Sequence, residues 1–403
     1  MIENAEIPYG GYWSTPFSKW QGSLQNLHSV ELAAYVSEKA LSRRNIPVTE
    51  FDYGILGITV PQHHSFYGAS WLFKMIGANG FAAPTISQAC ATSARSLLAA
   101  AQELLTGGAE ATLVIACDRT SNGPCLYYPE AGISAGIGAN EDWVKDNFSC
   151  DPSGNHSMLQ TAENVAKKHG ISKDEQHDLV WRRFEQYQMA LERDRAFQKR
   201  FMDLPFEVPK PNFKGTNSTL DGDEGIYETS PEILAGLEPV LKGGTVTFGS
   251  QTHPADGSVG MIVATPERAR EMSGDQSIRV SLVGFGSARA ELGYMPEAII
   301  PASGRALDAS GVGILDMDAV KSHNPFAVND IYFAREMGID LAQMNNYGCS
   351  LIWGHPQAPT GLRAIVELIE ELVLLGGGYG LFQGCAAGDT AMAVVLKVED
   401  RTN

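Results

Sequence analysis

The chain has 403 residues, which is too many for one hydrophobic core and enough for two or three packed units. With 44% hydrophobic and 19% charged residues, its composition excludes a disordered chain, and no apolar run is long enough to span a membrane. The net charge of −17 argues against a nucleic-acid partner, although a small polyanion needs only a local basic patch.

The first 20 residues contain no basic region followed by an apolar run, so no signal peptide is expected and a cytoplasmic location is predicted. The six cysteines are at positions 90, 117, 125, 150, 349 and 385. They lack paired metal-ligand spacing, and scattered cysteines in a large intracellular chain are typical of core residues or catalytic thiols. We therefore expect no disulfide, no metal site and no permanently bound cofactor.

A strand, a helix and a second strand are predicted in the first 120 residues. Residues 85–86 are expected in a strand that turns into a helix at about Thr92. Apolar residues recur at helical spacing over 94–105, and two glycines at 107–108 end the helix. The apolar run 112–116 has the length of a strand.

Cys90 lies at the predicted turn from strand to helix. A thiol at a helix N-terminus meets unpaired backbone N–H groups and the positive end of the helix dipole, which favours the thiolate. The small neighbours Ala89, Ala91 and Ser93 leave the sulfur room to attack. Cys90 is thus a candidate nucleophile, and a buried inert cysteine is the alternative.

The segment 120–238 differs in composition from the rest of the chain. Turn-rich polar stretches at 151–154 and 210–224 surround one charged helix predicted at 173–195. This composition favours an inserted lobe at the surface, where binding residues often lie.

A basic cluster in this lobe, formed by Lys199, Arg200, Lys210 and Lys214, is the best local candidate for binding phosphates. A solvated charged surface explains the same residues equally well.

His323 and Asn324 precede Pro325, so this polar pair is predicted in a loop or turn. His355 is flanked by a glycine and a proline, which hold an imidazole at a turn; a capping histidine is the alternative.

A helix is predicted over 362–374, followed by glycines at 376–378 and a strand at 379–382. Cys385 is expected just after this strand. Its small neighbours suggest a close backbone approach to a ligand, and a tight turn explains them too.

A shift of 268 positions superimposes these two regions. It places Thr92, Arg95, Glu103, Leu104, Gly108 and Cys117 on Thr360, Arg363, Glu371, Leu372, Gly376 and Cys385. The matching order of helix, glycine stop and strand favours a duplication over chance and implies two α/β halves, each a mixed sheet covered by helices. The predicted division is an N-terminal half at 1–119 plus 239–272, an inserted lobe at 120–238 and a C-terminal half at 273–403.

Together these segments resemble the thiolase family over nearly the whole chain. The nucleophile motif Cys-x-Ser appears as Cys90-Ala91-Thr92, the Gly-His-Pro motif is intact at 354–356, and Cys-x-Gly becomes Cys385-Ala386-Ala387. The segments 161–166, 244–247 and 256–257 also resemble family landmarks. Four motifs in this order and at this spacing are highly specific.

Two departures concern the substrate site. The family's Asn-Glu-Ala-Phe motif reads His323-Asn324-Pro325-Phe326, which resembles the His-Asp-x-Phe form of sterol-carrier-type thiolases. His156 is one position out of register with the family's His-Met-Gly motif, so its role is not carried over.

The resemblance implies the thiolase fold, two duplicated α/β halves in a layered αβαβα core with an inserted loop lobe, and coenzyme A as co-substrate. His355 would activate Cys90, which attacks a 3-oxoacyl-CoA and becomes acylated, and Cys385 would be the acid and base at the α-carbon. Run backwards, the same site performs a Claisen condensation.

The resemblance also implies donors for two oxyanions. His355 and His323 would serve the thioester oxygen, with Asn324 in support, and the N–H groups of Cys90 and Ala387 would serve the acyl carbonyl. The candidate residues for coenzyme A binding are Lys210, Lys214, Ser250 and Thr252.

Two other classes stay open. A decarboxylating ketoacyl-synthase-like condensing enzyme shares the doubled fold but needs two histidines and no acid–base cysteine, so Cys385 favours a thiolase. An inactive subunit that binds acyl-CoA would not need both cysteines and Gly-His-Pro.

The N-terminal segment 10–17 and Trp353 are unlike common acetoacetyl-CoA thiolases, although ordinary core or dimer-interface residues explain these Trp and Tyr side chains equally well. The chain as a whole is similar to thiolases of anaerobic aromatic degradation. This implies a bulky or aromatic acyl group such as that of benzoylsuccinyl-CoA. The resemblance further implies a homodimer or higher oligomer and a small zinc-ribbon/OB-fold subunit as a partner.

Overall fold

The structure is a computed structural model that describes residues 4–132, 136 and 138–400. The helices are α1 Ser29–Arg43, α2 Gly68–Met75, α3 Thr92–Leu105, α4 Lys145–Ser149, α5 Met158–His169, α6 Lys173–Arg195, α7 Pro231–Ala235, α8 Pro266–Met272, α9 Ile299–Ser310, α10 Ala327–Met337, α11 Ser350–Trp353 and α12 Ala358–Leu374. The strands are β1 Glu6–Ile7, β2 Tyr12–Ser14, β3 Ser18–Lys19, β4 Tyr53–Gly57, β5 Thr85–Ile86, β6 Ala111–Arg119, β7 Cys125–Tyr128, β8 Ala139–Asp142, β9 Phe206–Pro209, β10 Thr216–Leu220, β11 Ala255–Ala264, β12 Ile278–Arg289, β13 Met317–His323, β14 Gly377–Ala386 and β15 Thr390–Asp400. None of the helices described is both long and apolar enough for a transmembrane span.

The strand order repeats between the two halves. In the N-terminal half, β4 lies parallel to β5 and β6, and β6 pairs antiparallel with β11. In the C-terminal half, β13 lies parallel to β14, which pairs antiparallel with β15. The orders β4-β6-β11 and β13-β14-β15 therefore match in direction, as the duplication predicts. The short β1 pairs with both β11 and β12 and joins the two halves into one sheet path.

The helices form three layers around the two half-sheets. The helix α12 packs against α3, against β13 and β14 of its own half, and against β6 and β11 of the other half. The helices α1 and α2 cover the N-terminal half-sheet, and α9 covers β12 and β15. The fold is thus the expected layered αβαβα arrangement.

The strand β6 has a buried side chain at nearly every position because both of its faces are covered. Leu113 and Ile115 belong to the core cluster under α1, whereas Val114 and Ala116 belong to the main cluster that includes α3. The middle helix α12 is buried on all sides from Ala358 to Leu372, although its sequence predicts an amphipathic helix.

The segment between β6 and β11 contains more regular structure than its composition predicts. The helix predicted at 173–195 is present as α6, but α4, α5, α7 and two hairpins are found in addition. Its inner surface is buried: Arg183 pairs with Asp330 at 2.9 Å and Asp223 pairs with Arg363 at 3.1 Å, with all four side chains inaccessible to solvent. The domain boundaries given above stay predictions.

Two predictions of local structure are wrong. His323 is the last residue of β13 rather than part of a loop, and Cys385 lies inside β14 rather than after it. Both strands extend further than their apolar runs because they pair with each other, with His323 opposite Gly384.

Candidate active site

Cys90 lies in the tight turn between β5 and α3, as predicted. Ala89 has φ +43°, a left-handed conformation that is strained for alanine and is typical of functional turns. The Thr92 hydroxyl donates to Ala89 O at 2.7 Å and accepts from Gln88 N–H at 2.8 Å. The hydroxyl of the Cys-x-Ser motif therefore holds the turn that presents the Cys90 sulfur.

His355 contacts Cys90 through one ring nitrogen and is fixed through the other. His355 Nε2 lies 3.1 Å from Cys90 Sγ, and Nδ1 lies 2.7 Å from Thr360 Oγ1 at the start of α12. Gly354 has φ +92°, and a Cβ there would lie 2.7 Å from the ring of His253. Only glycine fits this position, which explains the first residue of Gly-His-Pro.

Burial keeps the proton of this pair on sulfur. It raises the pKa of the Cys90 thiol to about 11, although the N–H groups of Ala387 and Cys90 lower it. Burial, with His323 and His253 nearby, lowers the pKa of His355 well below its usual value. Desolvation thus opposes the helix-end effect that favours the thiolate of Cys90.

His323 stacks on His355, with ring centroids 4.1 Å apart and an angle of 27° between the planes. His323 Nδ1 lies 2.9 Å from Ser350 Oγ, whereas the buried Nε2 has no hydrogen-bond partner in the described part of the chain. Burial lowers the pKa of His323 to about 3, so the ring is neutral. An unpartnered nitrogen beside the Cys90–His355 pair is free to donate to a substrate oxygen.

Asn324 bonds to Ser350, the residue that contacts His323. Its Oδ1 accepts from Leu351 N–H and Ser350 Oγ, and its Nδ2 donates to Asp330 at 2.8 Å and to Cys349 Sγ at 3.2 Å. All of its hydrogen-bonding capacity faces the protein, so Asn324 can position other groups but not contact substrate.

Cys385 is 1% exposed, and Asn329 Nδ2 lies 3.2 Å from its sulfur. Burial is the largest effect on this thiol and raises its pKa; the Asn329 contact lowers it. Ala387 is not among the described non-glycine residues with positive φ, so alanine is tolerated where the family has glycine. Its N–H points at Cys90 Sγ.

Cys90, His355 and Cys385 border a cavity of about 360 Å³, whereas His323, Asn324 and Ala387 are not among its lining residues. Its lining is Cys90, Phe148, Ser149, Ser157, Met158, Leu159, Gln251, Thr252, Pro254, Met295, Pro325, Phe326, His355 and Cys385. A groove of about 670 Å³ shares Gln251, Thr252 and Pro254 with the cavity and runs along α7. The cavity is mostly apolar and connects through these three residues to a longer groove.

Of the four candidate residues for coenzyme A binding, Thr252 lines both the cavity and the groove. Ser250 is buried and its hydroxyl bonds to Thr247, so it does not face the groove. Lys210 and Lys214 belong to the β9–β10 hairpin, whose Phe213 packs on Tyr35 of α1, and neither lysine lines the cavity or the groove.

The predicted basic cluster is also dispersed. Lys199 pairs with Asp194 and Arg200 with Glu370 of α12, so their charges are already neutralised. Lys210 and Lys214 lie on the separate hairpin. None of the four cations lines the cavity or the groove.

Three residues that sequence reasoning missed hold the site together: Thr360 orients His355, Ser350 orients His323, and Asn329 contacts Cys385. Thr360 and Asn329 lie in the first turns of α12 and α10, shortly after His355 and His323 in the sequence. That position could have identified them as site residues. His253 lines the groove and packs against Gly354. Its position before Pro254 is the feature of the sequence that could have identified it as a site residue.

One donor atom each of Cys90, His323 and His355 lies within 4.8 Å of the others, a set that could hold a metal ion. The Cys90–His355 contact at 3.1 Å already satisfies two of the three groups without an ion.

Two family models match most of this chain. Residues 12–267 match the model of the thiolase N-terminal domain, and residues 276–398 match that of the thiolase C-terminal domain. An acetyl-CoA acetyltransferase of Allochromatium vinosum is 28% identical over 98% of this chain and 100% of that protein. The mitochondrial 3-ketoacyl-CoA thiolase of Homo sapiens is 26% identical over 95% of this chain and 96% of that protein.

The crystal structure of human mitochondrial 3-ketoacyl-CoA thiolase superimposes with a TM-score of 0.87 at 25% identity, covering 98% of this chain and 99% of that chain. The same enzyme in complex with CoA gives a TM-score of 0.86 at 25% identity, covering 98% of each chain.

Proposed function

Because this chain belongs to the thiolase family and is a coenzyme A-dependent acyltransferase, we propose that it cleaves a 3-oxoacyl-CoA, or forms one, through an acyl group on Cys90. The 3.1 Å contact between Cys90 Sγ and His355 Nε2, at a cavity that Cys385 also lines, carries this proposal. This arrangement places a nucleophile, its base and a second thiol at the same cavity.

In the cleavage direction, His355 Nε2 takes the Cys90 proton as the sulfur attacks the 3-oxo carbon. The bond between C2 and C3 breaks, the acyl group stays on Cys90, and the electron pair forms a thioester enolate at C2. Cys385 protonates that carbon. The thiol of a second coenzyme A returns a proton to Cys385 and attacks the acyl group, and the Cys90 sulfur regains its proton from His355.

The two oxyanions meet different donors. His323 Nε2 and His355 would stabilise the enolate oxygen. For His323 this requires the tautomer with its proton on Nε2, in which Ser350 Oγ donates to Nδ1. Asn324 Oδ1 then still accepts from Leu351 N–H. The N–H groups of Cys90 and Ala387 would stabilise the oxyanion on the acyl carbon.

The lining of the cavity supports a bulky or aromatic acyl group, such as that of benzoylsuccinyl-CoA. Phe148, Met158, Met295 and Phe326 contribute apolar surface, and no lysine or arginine is among its described lining residues. The carboxylate of benzoylsuccinyl-CoA, which stays on the succinyl-CoA part, would have to hydrogen-bond to polar lining groups such as Ser157. The groove along α7 would take the pantetheine arm.

One observation favours the decarboxylating alternative, because the stacked His323 and His355 form the histidine pair that such a condensing enzyme needs. Cys385 argues against this alternative, because its thiol faces the cavity and a decarboxylating condensing enzyme needs no acid–base cysteine there.

The experiment is coenzyme A-dependent cleavage of four substrates: acetoacetyl-CoA, 3-oxohexanoyl-CoA, benzoylacetyl-CoA and benzoylsuccinyl-CoA. Wild type should cleave the aromatic substrates with at least a tenfold higher kcat/KM than acetoacetyl-CoA. The Cys90→Ser variant should lose at least about a thousandfold, because a hydroxyl is a far weaker nucleophile than a thiol.

The His323→Ala variant should lose about 100-fold in kcat, the usual effect of removing one oxyanion donor, while His323→Asn retains more activity. Thiolysis that survives Cys90→Ser would contradict the mechanism. Best activity on acetoacetyl-CoA would contradict the bulky acyl group alone, and decarboxylation of a malonyl thioester without thiolysis would favour the condensing enzyme.

A further inference from the structure

A second cluster of ionisable side chains lies next to the catalytic cavity. Asp151 and His156 come from the loop between α4 and α5, and Asp389 comes from the turn between β14 and β15. One donor atom of each lies within 4.8 Å of the other two. The sequence predicts no metal site here because the three residues come from segments more than 200 positions apart.

Two of these side chains are buried and incompletely hydrogen-bonded. The side chains of His156 and Asp389 are 10% and 1% exposed. His156 Nε2 and Asp389 Oδ1 have no hydrogen-bond partner among the described residues. Buried polar atoms nearly always have a partner, so an unpartnered imidazole nitrogen near a carboxylate with one unpartnered oxygen indicates a missing ion or water.

The spacing favours an ion. His156 Nε2 lies 3.9 Å from Asp389 Oδ2, which is too far for a hydrogen bond. Two ligands that each bind one ion at about 2.0–2.2 Å lie no more than about 4.4 Å apart. The observed distance falls inside that range.

The backbone holds each ligand in place. Ser153 N–H donates to Asp151 Oδ1 at 2.7 Å, and Gly293 N–H donates to Asp389 Oδ2 at 3.1 Å. Gly154 lies against the imidazole so closely that a Cβ there would be 2.2 Å from His156 Nδ1. Outer contacts of this kind orient ligands in metal sites.

We propose that Asp151, His156 and Asp389 bind one divalent transition cation, Mn²⁺ or Zn²⁺. One imidazole nitrogen and two carboxylate oxygens match the preference of these ions, and two carboxylates neutralise the dipositive charge in a buried site. The ion joins the loop that leads to Met158 with the turn that follows Ala387. It thereby positions two sides of the catalytic cavity without contacting substrate.

The test is a titration of EDTA-treated full-length protein with Mn²⁺, in which free Mn²⁺ is measured by electron paramagnetic resonance. Wild type should bind about one equivalent per chain, and Zn²⁺ should displace it. Asp151→Asn and His156→Gln keep the side-chain volume and should weaken binding at least tenfold, since each removes a ligand. Asp178→Asn, an exposed carboxylate on α6, makes the same charge change and should not alter binding.

A second measurement covers variants that fold poorly. Mn²⁺ should raise the unfolding temperature of wild type and Asp178→Asn by several degrees and leave that of Asp151→Asn unchanged. No binding to wild type, or equal binding to wild type and both ligand variants, would overturn the proposal and leave a water at this position. Neither readout depends on catalytic activity.

Discussion

At the residue scale, the Cys90–His355 pair is neutral before substrate binds, and this determines the step at which the thiolate nucleophile forms. His355 is buried and Cys90 is partly buried, and desolvation disfavours the charged form of each group, so the thiolate–imidazolium pair is the costly state. A substrate whose carbonyl meets the donors of Cys90 and Ala387 compensates for that cost in the transition state. The thiolate is therefore formed during attack rather than stored before it.

This state predicts the pH dependence of Cys90 alkylation by iodoacetamide. With the pKa of the thiol raised to about 11, the thiolate is the minor form at neutral pH and its fraction rises about tenfold per pH unit up to that value. The alkylation rate of the free enzyme should therefore increase from pH 6 to pH 10 without a plateau. Peptide mass mapping separates Cys90 from the exposed Cys125 and Cys150, and Cys90→Ser is the control. A plateau between pH 6 and pH 8 would mean that a resting ion pair exists.

At the element scale, the sequence predicts the parts of the site that depend on local structure. The turn at Cys90 follows from a short strand, a helix start and Thr92, all within about eight residues. The positions of His323 and Cys385 depend instead on the pairing of β13 with β14, in which His323 lies opposite Gly384. Pairing across such a distance leaves no periodic signal in either segment, so His323 is predicted in a loop and β14 is predicted too short.

Two segments that resemble family landmarks turn out to contact each other. The carboxylate of Glu163 on α5 accepts hydrogen bonds from Thr245 N–H at 2.9 Å and Val246 N–H at 2.8 Å. A Cβ on Gly244 would lie 2.2 Å from Glu163 Oε1, which explains the glycine. The contact fixes the start of the segment that carries Thr252 into the cavity.

We expect Glu163→Gln to lower the free energy of unfolding by about 1–3 kcal/mol, because the amide nitrogen meets backbone donors that a carboxylate accepts. The Michaelis constant for coenzyme A should rise, since Thr252 is less well placed. Urea unfolding and initial rates measure the two effects. Glu185→Gln, an exposed residue on α6, is the matched control and should change stability by less than about 0.5 kcal/mol. Equal stability of the two variants would contradict a positioning role for Glu163.

At the scale of the whole molecule, buried ion pairs attach the lobe to the C-terminal half. Arg363 of α12 pairs with Asp223 of the lobe and with Glu367, and all three side chains are 0–1% exposed. The sequence predicts that the lobe lies at the surface, because the polar residues of this segment are typical of solvent-exposed structure. Their partners lie on α10 and α12, so only the tertiary structure reveals that these charges are internal.

One end of the sheet is left open for a second chain. The strand β5 pairs only with β4 in the described structure, so the outer side of β5 presents unpaired backbone groups. Phe66 and Tyr67, in the segment that leads out of β4, are 89% and 68% exposed. Large exposed aromatic residues and an open strand edge are each typical of a protein interface.

We therefore predict that the chain is at least a homodimer through this end, with Phe66 and Tyr67 buried between the subunits. Light scattering coupled to size-exclusion chromatography should give two or more chain masses for wild type. Phe66→Asp should yield a monomer at micromolar concentration, because a buried unpaired charge costs several kcal/mol at an interface. Leu315→Asp is the matched control: Leu315 is 84% exposed in the C-terminal half and should leave the mass unchanged. A monomeric wild type would refute the dimer, whereas a Phe66→Asp variant that keeps the wild-type mass would place the interface elsewhere.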